Sequence, residues 1–138
     1  MSRVAAIGII YKNSVLLCRR VEFWEGKPVP LGGFWSIFAG SIEKGESPIF
    51  CAIRELKEES QIEVSVENVK YVKTLYGDND FTMHIYMSEV DELIDPILNA
   101  EHTEYGWFNI DDLDHFPYDI DAKIIECIKK YKRNRFLS

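Results

Sequence analysis

The stretch Gly40–Ile62 reads GSIEKGESPIFCAIRELKEESQI, and its second half carries the signals of a helix over Ser47–Ser60. Ser47 is a good N-cap, and Pro48 suits the first helical position, where its missing N–H would go unpaired in any case. Ile49, Ala52, Ile53 and Leu56 recur at helical spacing and mark a packed side. Residues three and four apart are neighbours on a helix, so Glu55, Glu58 and Glu59 share another face. Like charges at that spacing cost roughly 0.2–0.5 kcal/mol per pair. Either solvent, with Arg54 and Lys57, dilutes the charge, or something bound to the carboxylates offsets it.

On the N-terminal side, Val4–Ile10 and Ser14–Arg20 are strand-like runs joined by a YKN turn, a hairpin. Val21–Gly33 contains EGKPVPLGG, with two prolines and three glycines, and is expected to be an irregular loop at a binding site. Phe34–Ala39 reads as a short strand. On the C-terminal side, Glu63–Tyr76 and Phe81–Val90 flank the turn residues GDND and should form an antiparallel pair. Asp91–His102 reads as loop, Tyr105–Ile110 as strand, and Ile120 to about Arg133 as a helix packed through Ile124, Ile125, Ile128 and Tyr131. The fold class is α+β, one sheet flanked by two helices.

The 138 residues suit a single domain, taken as 1–138, with a core of its own. A net charge of −7 argues against a nucleic-acid binder held by phosphate contacts alone, although bound divalent cations would reverse the local potential for a phosphate ligand. The three cysteines are widely spaced with no CxxC pair, which fits reduced thiols in a cytoplasmic protein and neither a disulfide framework nor a zinc site. The apolar run near the N-terminus is too short for a signal peptide or a membrane span.

A cluster of hard oxygen donors without cysteine or histidine suits Mg²⁺ or Mn²⁺. The flanking residues favour that reading over a solvated surface helix. Five residues separate Gly40 from Glu46, seven separate Glu46 from Arg54, and RELKEESQI follows directly. This resembles the signature of the Nudix hydrolase superfamily, G-x5-E-x7-R-E-U-x-E-E-x-G-U, with U a bulky aliphatic residue. Gly40, Glu46, Arg54, Glu55, Leu56, Glu58, Glu59 and Ile62 match, while Gln61 stands where the family has glycine. A glycine leaves the helix in a left-handed conformation without steric cost; Gln61 must accept about 1 kcal/mol of strain or end the helix differently.

The resemblance implies an α/β/α sandwich over essentially the whole chain, a mixed sheet between helices with the motif as loop–helix–loop. It implies Glu58 and Glu59 as the main metal ligands and Glu55 as a ligand or as the base for the attacking water. Arg54 and Glu46 would be an ion pair orienting the acidic side chains. The backbone carbonyl of Ala39 is an implied extra ligand, as is Glu101, with Glu104 as the fallback. The implied cofactor is Mg²⁺, with Mn²⁺ as substitute. The implied reaction is hydrolysis of a phosphoanhydride in a nucleoside diphosphate linked to another moiety X. Many relatives are dimers, so a homodimer is an allowed assembly.

Outside the motif, Arg19 and Arg20 end a strand and either meet phosphates or sit exposed. Trp35 and Tyr76, with Trp24, Phe34 and Phe81, are candidates to stack on a base or to fill the core. His102 is noted only as the neighbour of Glu101. The basic run Lys129–Arg135 reads as helix C-terminal cations before it reads as an RNA contact. Two rival functions remain: a Nudix-fold nucleotide sensor without catalysis, disfavoured because every acidic position is kept, and an RNA 5′-end pyrophosphohydrolase, disfavoured by the acidic charge.

Overall fold

The computed structural model describes residues 2–135. Nine strands and two α-helices follow in the order β1 (Arg3–Tyr11), β2 (Ser14–Arg20), β3 (Phe23–Trp24), β4 (Lys27–Pro28), β5 (Trp35–Ser36), β6 (Phe38–Ser41), α1 (Pro48–Ser60), β7 (Val69–Tyr76), β8 (Thr82–Glu89), β9 (His102–Asn109) and α2 (Ala122–Asn134). β1 is the central strand. It runs parallel to β8, and antiparallel to β6 through its first half and to β2 at its end. β2 carries β9 along its outer side, while β7 closes the other edge against β8. The sheet is therefore mixed.

Residues Ala5–Ile10 are buried on both faces, the pattern of a strand covered from two sides. Alternation along β1 divides the core. Ala5, Ile7 and Ile9 face α1 and its Cys51, Ala52 and Leu56, whereas Ala6 and Ile10 share a cluster with Ile124, Cys127, Ile128 and Tyr131 of α2. Burying a leucine such as Leu56 contributes about 1.5–3 kcal/mol. The two helices thus sandwich the sheet, as expected.

Four local features differ from the sequence expectation. Phe34–Ala39 is not one strand but meets two, β5 pairing with β2 and β6 with β1. The 21–33 segment is not wholly irregular: β3 and β4 form a short hairpin with Trp24 opposite Lys27. Glu63–Tyr76 is strand only from Val69, after a 3₁₀ turn at Val66–Asn68. β9 starts at His102, earlier than Tyr105, because its ladder with β2 continues to Arg20↔His102; the exposed Thr103, Glu104 and Tyr105 give no apolar alternation to reveal it.

α1 begins as predicted, with the Ser47 hydroxyl accepting the Phe50 N–H at 3.4 Å. It ends with Gln61 at φ 63°, ψ 12°, its N–H donating to the Lys57 carbonyl at 2.9 Å. Gln61 therefore takes the left-handed conformation that glycine would take, and bears its strain.

Candidate active site

The loop between β6 and α1 folds back on itself at Gly45, whose φ of +81° lies in the region that favours glycine. Glu46 accepts the Glu43 N–H at 3.0 Å and forms a bidentate pair with Arg54, Nε to Oε2 at 2.7 Å and Nη2 to Oε1 at 3.0 Å. That pairing is the stronger form of charge-assisted hydrogen bond. It holds the Glu46 carboxyl at about 2, chiefly through its hydrogen bond from Arg54. The same guanidinium reaches Glu55 at 3.0 Å, Glu58 at 3.2 Å and the Ser41 carbonyl at 3.2 Å. Arg54 is thus the hub through which the motif loop fixes the acidic side of α1.

The three helix glutamates do not share one environment. Glu58 is 55% exposed and rests on Arg54, Glu55 is 13% exposed, and Glu59 is 1% exposed. Glu59 follows Leu56 by three residues and Ala52 by seven, so it falls at the edge of the packed face and not opposite it. Gly40 leaves room for the Glu55 carboxylate, which fills the space a side chain there would need.

Glu59 has little to satisfy it. One oxygen accepts the Ala39 N–H at 3.4 Å, while Oε2 is buried without a hydrogen-bond partner. Burial above all, then the neighbouring Glu55 carboxyl and the charge of Glu101, push its pKa well above the usual carboxylate range. His102 approaches with Nε2 3.8 Å from Oε1, and its Nδ1 is likewise buried without a partner. Burial and then Arg20 lower the His102 pKa to about 4, so the imidazole is neutral at pH 7. Nothing in the local sequence singles out His102, because its approach to Glu59 depends on β9 reaching the end of β2.

The segment before β9 is fastened to the end of α1. Ile97 N–H donates to the Ser60 carbonyl at 2.9 Å and Asn99 N–H to the Glu59 carbonyl at 3.2 Å. Glu101 follows two residues after Asn99, and its charge acts on Glu59. Glu104 points away and pairs with Arg19 at 3.0 Å.

An apolar recess of about 200 Å³ opens next to these groups. Phe34, Trp35, Leu75, Tyr76, Phe81 and Met83 contribute to it, and Ala39, Glu101 and His102 border it on the carboxylate side. Arg20 lines the recess; Arg19 does not, being held by Glu22, Glu104 and the Gly33 carbonyl. A shift in register between Arg19 and Arg20 separates the two. Tyr76 is an exposed rim residue. Trp35 is core: Tyr118 stacks on it at 5.5 Å and Phe108 and Phe116 meet it edge-on.

These residues fit a divalent cation with hard oxygen ligands. Arg54 reaches Glu55 but not Glu59, whose Oε2 is buried and unsatisfied among the described residues, and carboxylates at this spacing are the donor type such ions take. Among the described residues no three acidic, histidine or cysteine side chains already converge as a cage. Glu58 would therefore have to leave Arg54 to join Glu55 and Glu59, whereas the contact that Ala39 makes with Glu59 is through its amide.

Residues 1–130 match the NUDIX domain family. The chain is 32% identical over 89 residues to an octanoyltransferase of Myxococcus xanthus, covering 57% of the chain and 24% of that protein. It is 26% identical over 140 residues to mRNA-decapping enzyme subunit 2 of Arabidopsis thaliana, covering 99% of the chain and 36% of that protein. The chain thus spans between 24% and 36% of the length of these curated relatives. Among solved structures, the NUDIX domain of Shewanella oneidensis NrtR, complexed with ADP ribose, superposes with a TM-score of 0.76 at 16% identity, covering 98% of this chain and 88% of that one. That likeness shows a shared fold.

Proposed function

The chain belongs to the NUDIX domain family, and on that premise we propose that it is a metal-dependent nucleotide pyrophosphohydrolase, cleaving a phosphoanhydride bond in a nucleoside diphosphate linked to a second group X. The observation that carries this reading is Glu59, a buried carboxylate set against Glu55, with one oxygen that no group among the described residues satisfies. A group so placed calls for a cation.

Glu55, Glu58 and Glu59, with the Ala39 carbonyl and Glu101, would hold Mg²⁺, or Mn²⁺ in its place. The ion, when bound, neutralises diphosphate oxygens and lowers the pKa of a bound water. Arg54, locked to Glu46, sets the direction of the acidic side chains. Glu55 either joins the ligands or takes the proton of the attacking water at its carboxylate. Arg20 faces the phosphates, and the recess takes the nucleoside, with Tyr76 at its rim. The products are a nucleotide and phosphorylated X, or pyrophosphate when the substrate is a nucleoside triphosphate.

The test is turnover by purified protein with Mg²⁺ on ADP-ribose, dinucleoside polyphosphates, NADH, FAD, sugar nucleotides, dNTPs, and 5′-capped and 5′-triphosphate RNA. The expected result is hydrolysis of at least one, abolished by EDTA. Tight binding of one member with no hydrolysis of any would make the protein a nucleotide sensor; cleavage of the RNA ends alone would make it an end-processing enzyme. We take residues 1–138 as one domain acting in the cytoplasm, in keeping with three free, buried thiols. No helix among the described residues is long and apolar enough to cross a membrane. A homodimer is the assembly to look for by light scattering.

A further inference from the structure

Arg20 and Glu101 border two recesses. One is the apolar recess beside Glu59; the other, of about 230 Å³, is formed by Arg20, Val21, Trp24, Val29 and Glu101. Trp24 reaches this second recess from the β3–β4 hairpin. Glu25 and Gly26 at its tip have φ of 51° and 78°, the two positive values that a tight type I′ turn requires.

The arm is anchored at its base. Val29 N–H bonds the Glu22 carbonyl, Gly33 N–H the Arg20 carbonyl, and Val21 N–H the Glu101 carbonyl, at 2.8–2.9 Å. Arg19 adds bonds to Glu22 and to the Gly33 carbonyl. The indole is nevertheless 49% exposed. Arg20, unlike Arg19, is in no ion pair among the described residues. It lines both recesses, a cation available to a phosphate chain that passes from one to the other.

We propose that the second recess is the subsite for X, and that X is a flat heteroaromatic group: the substrate carries two ring systems joined through its phosphates. This rests on the pyrophosphohydrolase reading. Trp24, Val21 and Val29 line it with one aromatic and two aliphatic side chains, while its charged lining residues among those described, Arg20 and Glu101, are shared with the apolar recess. Such a surface stacks a ring. A sugar would set most of its hydroxyls against the three apolar side chains, which costs binding relative to a ring.

The test compares kcat/KM for diadenosine tetraphosphate, NADH and FAD with that for ADP-ribose, a UDP-sugar and a dNTP, in wild type, Trp24→Ala and Trp24→Phe. The wild type should favour the first group. Trp24→Ala should lower the ratio of the two groups about ten-fold or more, the scale of one lost base stack, with Trp24→Phe restoring most of it. A ratio within about two-fold of wild type, or a wild type that favours the second group, overturns the proposal.

Calorimetric binding without divalent metal reads the subsite apart from catalysis. Diadenosine tetraphosphate should bind about ten-fold or more tightly than ADP in the wild type, and the advantage should vanish in Trp24→Ala. If nothing is hydrolysed yet this difference holds, the hydrolase reading falls and the subsite stands. If hydrolysis proceeds and the difference is missing, the subsite alone falls.

Discussion

A methyl group on Gly40 would stand 2.0 Å from the carboxyl carbon of Glu55. The side chain of Glu55 is flexible at that end, so Gly40→Ala is expected to displace the carboxylate and leave the fold intact. The melting temperature should hardly move, while turnover falls about 10–100-fold, as misplacement of a working group by about 1 Å does. A variant that melts far lower would place the role of Gly40 in folding.

Glu59→Gln keeps the shape of the side chain and removes its charge. Turnover with Mg²⁺ should drop by about 100-fold or more, beyond what the loss of an outer partner of a metal costs. In EDTA the variant should be at least as stable as wild type, because a buried, crowded carboxylate is gone. Glu58→Gln should cost activity with little change in stability, since Glu58 is largely exposed. Turnover within about ten-fold of wild type in Glu59→Gln would remove it from the metal site.

The Glu46–Arg54 pair sets an acid limit. The Glu46 carboxyl lies at about 2 in the folded chain against an ordinary 4.5. A depressed carboxyl contributes stability that is present above the unfolded value and lost as pH falls through the folded one. Wild-type stability should therefore decline more steeply than that of Glu46→Gln between pH 4.5 and about 2. Urea midpoints across that range measure it, and parallel curves for the two proteins would refute the assignment.

Gln61→Gly should raise stability by up to about 1 kcal/mol, because a non-glycine residue in the left-handed region carries strain of that order and the added freedom of the unfolded chain offsets part of the gain. Turnover should not change, as Gln61 is exposed and its N–H bonds the Lys57 carbonyl, away from the acidic side chains. A large gain in kcat would mean that the helix exit distorts the carboxylates.

Much of this was legible because the motif is local. Cap, proline, apolar spacing and glutamates all lie within one helix and its preceding loop, where distances along the chain become distances in space. The unequal burial of Glu55, Glu58 and Glu59 was not legible, since it depends on how far α1 rolls against β1 and β6. Nor was the choice between Arg19 and Arg20, which turns on a register shift opposite β9. The use of Trp35 as core rests on Tyr118 and Phe116, contributed from the far end of the chain. The prolines and glycines of 21–33 announced a loop and concealed its hairpin.

The bonds from Ile97 and Asn99 to the last carbonyls of α1 give the β8–β9 connection a second duty. It is a brace as well as a link: any tilt of the helix end drags Glu101 with it, and any movement of Glu101 pulls on the backbone of Glu59. The acidic groups from two distant parts of the chain are geared together. Tolerance to inserted residues should accordingly be uneven along this connection, generous around Asp91–Asp95 and close to nil from Ile97 to Glu101.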